Sequence, residues 1–246
     1  MRATPAFYRW SPRCRVGRRV DGNPARAVTG VGVGLRTNMA THAGALLYLC
    51  TMLDLQPTLT GSHITLRPLA APDFDELFAA ASDPLIWAQH PDPSRGTRKG
   101  FPPFFDDALK SEGCLVAIDA TRVVGWSRYS QYAPGEKVTI GYTFLVRSHW
   151  GGTANAEMKR LMLRHAFTDV QEVLFSIAEL NQRSRRAVEK LGAELSGVAE
   201  APRWGQVHVI YRLTPQLWAR GAALGYGPGG PCDPANGEVL ENRDGE

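Results

Sequence analysis

The feature that most constrains the fold is a change of pattern at one point in the chain. Residues 114–118, 123–132 and 138–146 are apolar, strand-like runs separated by turns at 119–122 and Pro134-Gly135. That order predicts an antiparallel meander. Past Gly151-Gly152 the period becomes helical. Met158, Leu161, Met162, His165 and Ala166 fall on one face of residues 153–167, with Arg160 and Arg164 opposite, the mark of an amphipathic helix. A strand that passes through a glycine pair into a helix leaves the first helical N–H groups without internal partners. The helix dipole adds partial positive charge at the same place. Such a junction suits a phosphate or pyrophosphate, although glycines also serve turn geometry alone.

The flanking elements read from local signals. Residues 63–66 alternate and meet Pro68, giving a short strand. Residues 72–81 begin with proline and acids, continue with apolar spacing and stop at Asp83-Pro84, giving a helix. A second helix is expected over 101–111, ended by Gly113. After the long helix come a strand at 173–178, a helix at 181–191 capped by Asn181 and stopped by Gly192, and strands at 194–199 and 207–213.

Charge divides the 246-residue chain into three parts. Residues 1–57 hold eight arginines and two acids, residues 58–214 hold 18 basic and 17 acidic groups, and the part from Pro215 holds two arginines and five acids. The net +4 therefore belongs to the leading segment and gives no nucleic-acid signal for the folded part. We expect 1–57 to be a disordered basic extension, 58–214 the folded domain and 215–246 a flexible tail. Three readings of the extension stay open: an overlong start with the true start near Met52, a flexible arm, or a targeting segment. The apolar run 43–53 is too short to span a bilayer, and no other run is longer. Four cysteines lie far apart with no CxxC pair. That pattern argues against a zinc site or a disulfide scaffold and fits a reducing, cytoplasmic setting.

The order of elements, together with the local text ITLRPLAAPDFDELF, IGYTFLVRSHWGG and AELNQRSRRAVEKLGAE, resembles the GNAT (GCN5-related) N-acetyltransferase superfamily. The closer resemblance is to its ribosomal-protein-alanine N-acetyltransferase-like branch, and it covers roughly residues 60–214. It implies an α/β (α+β) fold with a mixed, mostly antiparallel sheet of six to seven strands flanked by about four helices. It implies acetyl-CoA as co-substrate with no metal, and a small-molecule or peptide amine as acceptor. It implies neither a nucleic-acid nor a membrane partner, and a homodimer.

The superfamily loop pattern Arg/Gln-x-x-Gly-x-Gly/Ala falls on Trp150 to Asn155. Thr153 stands where glycine is usual, and Asn155 where glycine or alanine is usual. The resemblance assigns Gly151, Gly152, Thr153, Ala154 and Asn155 to the pyrophosphate. It assigns the main chain of Phe144, Leu145 and Val146 to the pantetheine amides, a form of strand addition. Asn181 and Ser184 match the family's Asn-x-x-Ser/Ala; for Asn181, a plain helix cap and a ligand contact are both open. Arg183, Arg185, Arg186 and Lys190 form either a solvated face or a contact to the 3′-phosphate of CoA.

Acyl transfer to an amine requires a deprotonated amine, a stabilised oxyanion and a proton for the departing thiolate. The family's frequent general-acid tyrosine falls on Val188, and its frequent strand glutamate on Thr139. Ser184 is the remaining candidate for protonating the sulfur, through water. His149 and Glu157 read as a loop histidine and a first-turn carboxylate favoured by the dipole. Trp87, His90, Trp126, Tyr129 and Tyr142 are candidates for lining the acceptor cleft, although aromatics at strand positions equally build a core. An alternative to the enzyme is a non-catalytic acyl-CoA-binding or regulatory module.

Overall fold

A computed structural model of the chain describes residues 52–201 and 206–221. Strands β1 (Leu59–Thr60), β2 (Ile64–Pro68), β3 (Cys114–Asp119), β4 (Arg122–Ala133), β5 (Lys137–Leu145), β6 (Glu172–Ala178), β7 (Glu194–Ala201) and β8 (Gln206–Leu213) form one sheet in the order β1-β2-β3-β4-β5-β6-β8-β7. Helices α1 (Phe74–Ala81), α2 (Phe101–Lys110), α3 (Thr153–Ala166), α4 (Gln182–Glu189) and α5 (Pro215–Gly221) accompany it. The expected mixed, mostly antiparallel architecture holds, with an extra two-residue edge strand and a fifth helix.

The only parallel pair among the described strands is β5 with β6. Parallel neighbours need a crossover connection, and α3 supplies it between them. Both faces of the sheet are buried. Leu115 and Ala117 of β3 join a core with α3, while Cys114 and Val116 join a second, aromatic core with α1 and α2. This is the side-to-side alternation of a strand covered on both faces. Gly125 marks the irregularity between β3 and β4. Its φ is +150°, and a Cβ there would lie 2.0 Å from the Phe144 carbonyl oxygen, so no side chain fits.

The folded unit reaches beyond the expected boundaries at both ends. Residues 215–221, assigned from the sequence to a flexible tail, form α5. Its Leu217 and Trp218 are buried, and the Trp218 ring packs on Phe167 at 5.6 Å. The glycine-rich text that suggested a tail begins later; 222–246 lie outside the described residues. At the other end Leu53 is buried and its N–H donates to the Tyr132 hydroxyl at 2.8 Å. Residues 1–51, with their three open readings, also lie outside the described residues.

Helix α3 departs from a simple two-faced helix. Arg160, expected on its polar side, is buried, as are Glu157 and Lys159. The β1–β2 turn closes over one flank and explains Glu157. Its carboxylate accepts the backbone N–H groups of Ser62, His63 and Ile64. The first-turn carboxylate of the sequence reading is thus a buried tie between distant elements.

Candidate active site

The site begins where β5 and β6 part. They pair at Lys137–Glu172, Val138–Val173 and Thr139–Leu174, and no further. Beyond Ile140 and Phe175 the strands diverge, and their unpaired ends bound a cleft of about 630 Å³. The divergence has a local cause in β5. Trp126 opposes Phe144 and Arg128 opposes Gly141, so Ser127 of β4 faces two residues, Tyr142 and Thr143. This bulge turns the strand. Tyr142 sits at φ +52°, a left-handed conformation that is an outlier for an aromatic residue. Trp126 Nε1 donates to its carbonyl at 2.8 Å and Arg128 lies over its ring at 3.5 Å, holding it there.

At the C-terminal end of β5 the chain turns through Arg147–His149 and Gly151, whose φ is +71°. The N-cap of α3 is Gly152, which has no side chain to cap the helix, and the first turn contains no acid. The open N–H groups of α3 and its dipole therefore stand beside the cleft, which Gly151, Gly152, Asn155 and Ala156 line. Thr153 is exposed and the Ala154 side chain is buried in the core; neither of these two expected contacts lines the cleft.

On the opposite wall, Asn181 Oδ1 accepts the N–H of Ser184 at 3.2 Å. Asn181 is thus a helix cap and a cleft residue at once, with Ser184 beside it. Arg183, Arg186 and Lys190 line the cleft, whereas Arg185 turns away to the Tyr211 hydroxyl and the Glu179 carbonyl. Arg183 stacks over Trp150 at 4.0 Å and donates to the Ile86 carbonyl at 2.8 Å. Val188, at the position of the family's tyrosine, is buried and lines the cleft.

Phe144 and Leu145 line the cleft as expected. Val146 does not line it, and its N–H is given to the Val124 carbonyl at 2.8 Å. Of the acceptor candidates, Trp87, His90 and Tyr142 line the cleft. Trp126 and Tyr129 do not. Trp126 is fully buried against Phe101, Phe104, Phe105 and Phe144. Tyr129 lies in the other core with its hydroxyl on the Met162 carbonyl at 2.7 Å. A strand sandwiched between two helical layers leaves no solvent face, so both aromatics became core. Thr139 is buried, and its hydroxyl donates to Gln131 Oε1 at 3.0 Å.

Two features escaped sequence reasoning. Arg95, buried in the cleft wall, lies over the Phe104 ring at 4.0 Å and contacts His90 Nε2 at 3.2 Å. Burial, and then the nearby Arg95 charge, lower the His90 pKa to about 4, so its ring is neutral at ordinary pH. Lys159 lines the cleft from α3, and burial lowers its pKa to about 7. A signal for Lys159 was present: Lys159, Leu163 and Ala166 share one helical face, and the latter two are fully buried. No carboxylate lines the cleft among the described residues; Arg95, Lys159, Arg183, Arg186 and Lys190 all do. An anion is therefore attracted and a polycation repelled.

Comparison with known proteins agrees with this geometry. The family model described as an acetyltransferase (GNAT) domain matches residues 63–194. A T. thermophilus protein assigned as an acetyltransferase is 28% identical, covering 68% of this chain and 95% of its own, with a TM-score of 0.57. A GCN5-related N-acetyltransferase from Brucella melitensis is 22% identical, covering 68% and 85%, with a TM-score of 0.60. Mycobacterium smegmatis RimJ, solved in complex with CoA-disulfide, is 16% identical, covering 66% and 90%, with a TM-score of 0.53. No curated protein matches the sequence at a significant level. Among the described residues no helix is long and apolar enough to cross a membrane, and no group of three or more His, Cys, Asp or Glu is placed to hold a metal ion.

Proposed function

The chain belongs to the acetyltransferase (GNAT) domain family, and on that premise we propose that it moves the acetyl group of acetyl-CoA to a primary amine by direct attack in a ternary complex. The observation that carries this reading is the divergence of β5 from β6 beside the uncapped N-terminus of α3. An unpaired strand end offers amide-matching backbone groups to pantetheine. A helix start without side-chain cap or acid offers N–H groups to a pyrophosphate. Gly151, Gly152 and the backbones of Thr153, Ala154 and Asn155 are the assigned pyrophosphate contacts. Phe144 and Leu145 are the assigned pantetheine contacts, and Asn181 with Ser184 faces them. Arg186 and Lys190 are the assigned partners of the 3′-phosphate.

The acceptor would enter from the side of Trp87, His90, Arg95 and Tyr142. The absence of a lining carboxylate, among the described residues, disfavours polyamines. It favours a protein N-terminus or a small amine whose other groups are neutral or anionic. On the resemblance of its sequence text we assign the chain to the ribosomal-protein-alanine N-acetyltransferase-like branch, acting in the cytoplasm. Holding amine and thioester together supplies most of the acceleration in such a reaction. Ser184 is the candidate for returning a proton to the sulfur.

A second reading, an acyl-CoA-binding module without turnover, is favoured by one observation: Val188 puts an apolar side chain at the position of the family's general acid. A free-thiol release assay with acetyl-CoA and a panel of amines and N-terminal peptides, run beside an acetyl-CoA titration, separates the two. Binding with turnover on one acceptor establishes the transferase. Binding without turnover supports the module. No binding overturns both.

A further inference from the structure

Lys159 has the surroundings of a working group rather than a structural one. It lies in the second turn of α3, is 7% exposed and lines the acyl-CoA cleft. Its Nζ reaches two hydroxyls and no carboxylate: Thr143 Oγ1 at 2.6 Å and Ser127 Oγ at 3.2 Å. Those hydroxyls are 2.7 Å apart. Thr143 lies in the β5 bulge and itself lines the cleft. A buried ammonium with no counter-ion is costly to keep, and replacing it with an apolar side chain would serve packing better.

We propose that Lys159, acting through the Thr143 hydroxyl, accepts the proton that the acceptor ammonium must lose before it attacks acetyl-CoA. This rests on the acetyltransferase reading of the cleft. The acceptor R–NH3+ gives a proton to Thr143 Oγ1 as the Thr143 hydroxyl proton passes to neutral Lys159 Nζ. The freed amine attacks the thioester carbonyl, forming the C–N bond. The C–S bond breaks, and the second ammonium proton goes to the departing thiolate. The products are the N-acetyl amine, CoA thiol and protonated Lys159, which returns its proton to solvent before the next turnover. No outside oxidant or reductant is needed.

The electrostatics favour this direction. Burial alone holds the Lys159 pKa at about 7, a value suited to a base working near neutrality. The charged groups of the surrounding elements have other partners. Arg128 of β4 pairs with Asp107, Glu157 binds the β1–β2 turn, and His149 contacts Asp119. His165 contacts the Asp54 carbonyl, and Arg212 of β8 lies by Glu172 of β6. Arg160 is buried one position along α3, and Lys137 is exposed at the far end of β5. The cations of the cleft also weaken an incoming ammonium's hold on its proton.

The test combines kinetics with direct titration. In the parent, kcat/KM rises with pH to an inflection near 7. Lys159→Met, close in volume, removes that inflection and lowers kcat about 100-fold or more, while acetyl-CoA affinity changes less than about threefold. Thr143→Val, which keeps the lysine, lowers kcat comparably. In ¹⁵N-lysine-labelled parent, the signal missing from Lys159→Met titrates near 7. A parent with no thiol release at any pH overturns the acetyltransferase reading and the proposal with it. An active parent whose inflection persists in Lys159→Met, or a Lys159 signal titrating near the ordinary lysine value, overturns the proposal alone.

Discussion

Glu157 of α3 accepts the backbone N–H of Ile64 in β2 at 3.0 Å, across 93 residues of sequence. Both residues are 1% exposed. The same carboxylate takes the N–H groups of Ser62 and His63. The helix that opens onto the cleft is thereby fixed to the β1–β2 edge of the sheet. Glu157→Ala should cost about 2–3 kcal/mol of stability, because it leaves a buried N–H unpaired, and Glu157→Gln less, because it keeps one acceptor. Gly61→Ala should also destabilise, since a Cβ there would lie 2.4 Å from Glu157 Oε1. Urea unfolding of the three variants at one pH checks the order. Equal stability of Glu157→Ala and parent would contradict the tie.

Lys159 makes a stability prediction separate from its chemistry. Its folded pKa, about 7, lies below the ordinary 10.5. Between those values the unfolded chain binds the extra proton and the folded chain does not, so stability rises with pH across that window. The full cost, present below pH 7, is about 5 kcal/mol. Lys159→Met should therefore gain stability over the parent at pH 7, and the gain should shrink toward pH 10.5. Unfolding free energies at both pH values decide it; a gain independent of pH would exclude burial of the charge as the cause.

The helix start allows stability and binding to be moved in opposite directions. Asn155→Asp puts a carboxylate in the first turn of α3, where it should raise stability by about 0.3–1 kcal/mol. The same charge beside the proposed pyrophosphate contacts should weaken acetyl-CoA binding at least tenfold. Calorimetric titration and thermal unfolding of one sample read both. Unchanged affinity would remove the α3 N-terminus from the binding site.

His90 predicts an acid-side weakness. Its folded pKa is about 4, set by burial and then by Arg95. Between the ordinary histidine value and 4 the unfolded chain takes up a proton that the folded chain refuses, so stability falls as pH drops through that window, by about 2–3 kcal/mol. His90→Gln should lose less stability than the parent between pH 6.5 and pH 4.5. An equal loss in both proteins would show that His90 is not the sensor.

The arrangement of the cleft also predicts acceptor preference. Arg95→Met should raise KM for an acceptor carrying a carboxylate by about tenfold, with little change for a neutral amine, because one of the lining cations is removed while packing on Phe104 is largely kept. Parallel KM measurements on the two acceptors test it; equal changes would take Arg95 out of acceptor recognition.

Local pattern was enough to determine the order of strands and helices from β2 to β8, the glycine junction before α3 and the Asn181 cap, because each depends on neighbours a few residues away; it missed β1 and α5. Family resemblance extended this to Phe144, Leu145, Gly151, Gly152, Asn155, Asn181 and Ser184, which line the cleft, though not to Val146, Thr153 or Ala154, which do not. The roles of Trp126, Tyr129, Glu157 and Lys159 were decided only by tertiary structure. Trp126 and Tyr129 look like cleft aromatics until helical layers cover both faces of β4. Glu157 is an ordinary surface carboxylate until the β1–β2 turn reaches it, and Lys159 an ordinary helical lysine until Ser127 and Thr143 close around it, 32 and 16 residues away. Burial and pKa depend on which distant elements pack against a side chain, and the local period of a sequence does not carry that information.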